Sequence, residues 1–75
     1  MILFQIVRPH TTGVVHEEAY ETYSELEPIL ERYVEQKCDS GWHATEFKGS
    51  SSKAGAIELV HDDVADSIIL RWLTK

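Results

Sequence analysis

AIELVHDDVADSIILRWLTK, residues 56–75, holds two apolar runs on either side of an acidic hinge. Whether its second run is strand or helix decides the fold. Residues 56–60 (AIELV) have the short apolar character of a buried strand. In residues 68–73 (IILRWL), Ile68, Leu70 and Trp72 alternate with Ile69, Arg71 and Leu73, the period-2 pattern of a strand. The same stretch also carries Ala65, Ile68, Ile69, Trp72 and Leu73 at helical spacing. The strand reading is preferred, because isoleucine and tryptophan pack well on a pleated surface. Residues 62–67 (DDVADS) suit a short helical turn capped by Asp62 or Asp63.

Working outward, residues 2–8 (ILFQIVR) are apolar on both alternating faces, as in an interior strand covered on two sides. Pro9 and Gly13 break that pattern. Residues 14–23 are mixed: Val14, Val15, Tyr20, Thr22 and Tyr23 favour a strand, while Glu17, Glu18, Ala19 and Glu21 suit a helix. Pro28 discourages one long helix, so extended or irregular structure is expected. Ser24-Glu25-Leu26-Glu27 matches a capping box, and Leu26, Ile29, Leu30, Tyr33 and Val34 follow at helical spacing. Pro28 then falls in or near the first turn, and Asp39-Ser40-Gly41 ends the helix. Residues 42–48 (WHATEFK) read as a partly polar edge strand, followed by a loop at 49–55.

The expected order is strand, helix, strand, strand, short helix, strand. That is an α+β, ferredoxin-like split βαβ sheet in a single domain, residues 1–75, with one main helix and a short second one. Its first and third strands, 2–8 and 56–60, would lie centrally. The alternative is βαββα, with residues 64–74 as a C-terminal helix. Either superfold hosts many functions and names none.

Charge is distributed unevenly. Residues 16–39 hold eight acids against two bases, and so carry the whole net charge of −6. The remainder balances. An acidic surface favours a basic partner and disfavours direct nucleic-acid binding, which usually needs a basic patch. Cys38 is the one cysteine, so no internal disulfide can form, as expected of a cytoplasmic protein. No apolar run nears the roughly 20 residues of a membrane span, and residues 1–10 lack the features of a signal peptide.

Four groups of side chains merit attention. Glu27, Glu31 and Glu35 recur every fourth residue and stack on one helix face about 6 Å apart. They are either a solvated face or a docking ridge for a basic protein. Arg8, His10, Lys48 and Lys53, with the hydroxyls of residues 11–12 and 50–52, would gather at one end of the sheet. That set has the chemistry to hold an anion but no Walker ending, so ordinary loops are expected. Cys38, Asp39, His43, His61, Asp62 and Asp63 would converge at the other end, but no zinc spacing is present, and neither metal nor cofactor is expected. Cys38 beside a helix C-terminus is poorly placed to ionise, so catalysis is not expected. Finally, Trp42 and Trp72 are the large anchors, and Trp72 is the candidate interface residue.

These features favour a non-enzymatic, acidic, protein-binding regulatory or inhibitory module, acting through Glu27, Glu31, Glu35, Trp72 and an open sheet face. A structural homo-oligomer or assembly subunit is the alternative, and a small metal protein a remoter one. If Ile2, Phe4, Ile6, Ile68 and Leu70 face the helix, Leu3, Val7, Ile69 and Leu73 are left on the open face as a homodimer interface.

Overall fold

The computed structural model describes residues 1–46 and 51–75. The chain runs β1 (Ile2–Arg8), β2 (Gly13–Tyr20), α1 (Tyr23–Asp39), β3 (His43–Glu46), β4 (Ala54–His61) and β5 (Val64–Thr74). All five strands form one antiparallel sheet in the order β2-β1-β5-β4-β3. Helix α1 leaves one edge strand and returns into the other, covering one face.

This is neither the split βαβ sheet nor the βαββα alternative. Two segments account for the difference. Residues 14–20 form a strand paired along β1, interrupted by an irregularity at Val15, because Val14 opposite Val7 and Tyr20 opposite Ile2 find cross-strand partners that outweigh the helix preference of the intervening glutamates. Asp62 and Asp63 form only the two-residue turn of a β4–β5 hairpin, closed by the His61–Val64 pair and accompanied by an irregularity between Leu59 and His61. Val64 to Ser67 are consequently strand, and no second helix forms among the described residues. The strand reading of residues 68–73 holds, and β5 becomes the centre of the sheet. β1 and β4 are interior on either side of it, and β3 is an edge as its mixed composition suggests.

Helix α1 begins earlier than the capping-box pattern implies. Thr22, extended at φ −134°, is the N-cap residue, and no side chain caps the free amides. Pro28 therefore lies in the second turn, where its missing N–H costs one helical hydrogen bond. The C-terminus ends as its sequence suggests. Trp42 N–H donates to the Lys37 carbonyl (3.0 Å) and Gly41 N–H to that of Cys38 (3.2 Å), with Gly41 at φ +94°. That is a Schellman ending, in which glycine takes the left-handed conformation at no steric cost.

The core lies between α1 and the sheet. Ile2 and Phe4 from β1, Leu59 from β4, and Ile68, Leu70 and Trp72 from β5 pack against Leu26 and Leu30. Ile6, Tyr20, Tyr23, Tyr33, Val34, Trp42 and Ile57 line its margin, whereas Ile29 points outward despite its helical spacing.

Candidate partner-binding groove

Leu26 and Leu30 face directly into the sheet, and this orientation turns the next side chains along the helix towards the β4 flank. There Tyr23, Leu30, Val34 and Ile57 form the floor of an open groove of about 470 Å³, and Glu27, Glu31 and Glu35 stand along it. The groove thus pairs an apolar base with three carboxylates and, among the described residues, no cation in its lining. Burial raises the pKa of the Tyr23 phenol above its ordinary value, and the negative charges of Glu27 and Glu31 raise it further. The tyrosine therefore registers the field of the acidic wall. A site that is partly apolar and uniformly negative is suited to a cation carried on a hydrocarbon stem, such as lysine or arginine.

The other residues singled out from the sequence fall elsewhere. Trp72 does not reach the surface: it is 5% exposed, packs against Tyr23 at 6.0 Å between ring centroids, and donates its indole N–H to the Ser51 carbonyl at 2.7 Å. It is part of the core that supports the groove. Leu3, Val7, Ile69 and Leu73 do lie together on the helix-free face, as Leu3–Leu73 and Val7–Ile69 cross-strand pairs. They are unequal, since Leu73 is 55% exposed and Val7 only 8%.

The two loops expected at one end of the sheet do not meet. Arg8, His10 and Thr11 stand beside Asp66 at the start of β5, whereas Ser51 and Lys53 lie beside Trp72 and Thr74 at its end. Lys48 and Ser50 lie outside the described residues. Cys38, Asp39, His43, His61, Asp62 and Asp63 do fall at one end of the fold, where α1 ends and β3 begins beside the β4–β5 turn. No group of three or more histidine, cysteine, aspartate or glutamate side chains that could hold a metal ion occurs among the described residues. His61 instead stacks edge-on against Trp42 (5.3 Å) and accepts the Asp63 N–H on Nδ1 at 3.0 Å.

Two clusters have no counterpart in the sequence reading. Asp66 is a buried carboxylate, 6% exposed, that accepts from the Thr11 hydroxyl (2.6 Å), the His10 amide (3.0 Å), the Ser67 amide (2.8 Å) and Arg8 Nε (3.2 Å). Burial pushes its pKa up, but those hydrogen bonds and the Arg8 charge outweigh it and hold the carboxyl at about 2. Every partner belongs to the end of β1, to the β1–β2 turn or to β5 itself, so the group ties that turn to the sheet. The second cluster crosses the helix-free face. Gln5 donates to Glu17 Oε1 at 2.8 Å and accepts from Arg71 Nε at 2.7 Å, joining β2, β1 and β5 in one polar row. A trace of it was visible: Gln5 and Arg71 are the lone polar residues within the apolar runs ILFQIV and IILRWL.

No protein-family model, curated protein or solved structure matches this chain. Fold and groove together define a small helix-on-sheet module with an acidic cleft beside its helix.

Proposed function

We propose that this protein is a non-enzymatic binding module that captures a basic, partly apolar segment of another protein in the groove beside α1. The observation that carries the reading is the composition of the groove. Glu27, Glu31 and Glu35 border a floor of Tyr23, Leu30, Val34 and Ile57 within one open depression. Carboxylates at every fourth helical position repeat about every 6 Å, and a partner helix with lysine or arginine at every fourth position has the same repeat. Such a partner lays its apolar face on the floor and its cations along the wall, a helix-in-groove mode of recognition. Exposed charges of this kind chiefly accelerate encounter and select the partner, while the apolar floor slows release. A regulatory or inhibitory role follows if the captured segment is one its owner needs free. The exposed, unpaired Cys38 supports a reducing compartment such as the cytoplasm.

The test is titration with a synthetic amphipathic peptide bearing lysine at every fourth position and leucines between, read by calorimetry. Binding is expected to weaken roughly tenfold when Glu27, Glu31 and Glu35 are all changed to glutamine, and to lose its salt dependence. Equal affinity for both proteins at low and high salt would leave the acidic wall as a solvated helix face and nothing more.

A further inference from the structure

We propose that the helix-free face docks a second copy of this chain about a two-fold axis running along β1, bringing Glu17 of each copy against Arg71 of the other. The face is built in cross-strand rows over β2, β1 and β5. One row is Ala19, Leu3, Leu73; the next is Glu17, Gln5, Arg71; the third is Val14, Val7, Ile69. The middle row is negative on β2, neutral on β1 and positive on β5, so rotation about β1 sets acid over base twice. The flanking rows then meet only apolar groups: Leu3 meets its own image, Ala19 meets Leu73, and Val14 meets Ile69. Two other two-fold arrangements fail on charge. An axis across the strands places Glu17 on Glu17, and an axis along the central strand β5 places Arg71 on Arg71.

Packing of this kind is the aligned sheet-on-sheet class, with layers about 10 Å apart, a gap that a glutamate and an arginine span together. The acidic helix covers the opposite face of each sheet, so both helices lie on the outside of the pair, where their like charges are farthest apart. Three strands of about seven residues contribute on the order of 400 Å² per copy, roughly 800 Å² in total, which is below the range of stable interfaces and makes this a weak, transient dimer. This inference is independent of the groove, which lies on the other side of the sheet.

The experiment is sedimentation equilibrium from about 10 µM to 1 mM, a range chosen for an interface of that size. The wild-type chain is expected to pass from monomer to dimer. Glu17→Arg alone sets arginine against arginine, Arg71→Glu alone sets glutamate against glutamate, and each is expected to remain monomeric. An equimolar mixture of those two variants has opposite charges at both contacts and is expected to recover dimer. Circular dichroism melts establish that each variant is folded, and Leu73→Lys, at an exposed position, is expected to abolish association in the wild-type background. A wild-type chain that is monomeric throughout overturns the proposal. So does a mixture that stays monomeric while the wild type dimerises, because the axis along β1 requires the two variants to be complementary.

Discussion

Neighbouring residues on the same strands diverge sharply between the two faces of the sheet. Phe4 faces α1, is 1% exposed, and lies among Ile2, Leu70 and Trp72. Gln5, one residue on, faces away and bridges Glu17 and Arg71. The helix side is a packed interior in which shape decides stability. The other side is a patterned surface in which polar pairing is tolerated because no element among the described residues covers it. Alternation along a strand is enough to separate these regimes.

The largest effect expected from breaking this contrast is at Phe4. Phe4→Ala should cost about 3–5 kcal/mol in chemical denaturation, through lost burial and the cavity left behind. Gln5→Ala, measured alongside, should cost about 1 kcal/mol or less, as for a hydrogen bond beside solvent. Similar costs at the two positions would mean that the helix-free face is as tightly packed as the core.

Next in size is the ending of α1, which aims the chain from the helix into β3. An alanine Cβ at Gly41 would sit 2.9 Å from His61 Nε2 at φ +94°. Gly41→Ala is expected to lower stability by about 1–3 kcal/mol through backbone strain and displacement of His61. Gly13 has φ +76° but no atom within 4 Å of an added Cβ, so Gly13→Ala should cost less. An equal loss at both glycines would show that the clash with His61 contributes nothing.

Asp66 gives a pH signature. Its carboxyl is held at about 2 in the folded chain against 3.8 for an ordinary aspartate. Between those values the unfolded chain binds the extra proton, so stability rises with pH there and is lost as pH falls through the folded value. The contribution is complete above about pH 4, where both states are ionised. Asp66→Asn should lower the melting temperature at neutral pH by several degrees and flatten its decline between about pH 4 and 2. An undiminished slope in the variant would assign the acid lability to other carboxylates.

The smallest effect belongs to the acidic wall. Glu27, Glu31 and Glu35 are exposed like charges at i, i+4 spacing, each pair costing roughly 0.2–0.5 kcal/mol. Changing all three to glutamine should leave the fold intact and raise stability slightly in low salt. A marked loss would mean that these side chains support the groove structurally instead of lining it.

Local pattern carried part of this structure. The runs of residues 2–8, 56–60 and 68–73 are strands because alternating apolar side chains can be buried only on a pleated surface. Leu26, Leu30 and the Asp39-Ser40-Gly41 ending define a helix by spacing and by glycine's access to positive φ. The glutamates of that helix were legible as a ridge for the same reason. Residues 14–20 were not decided locally, since valines and glutamates pull in opposite directions and only the open edge of β1 settles them as a strand. Nor could residues 62–67 reveal by themselves that the hairpin turn is complete after Asp63. The apolar floor beneath Glu27, Glu31 and Glu35 depends on Ile57 arriving from β4, and the buried Asp66 depends on a turn more than fifty residues away in the chain. Helical and strand periods are short-range properties of the backbone and can be read one segment at a time. A groove, a buried carboxylate and a cross-strand row depend on which segments meet, and pairing and packing across the whole chain decide that.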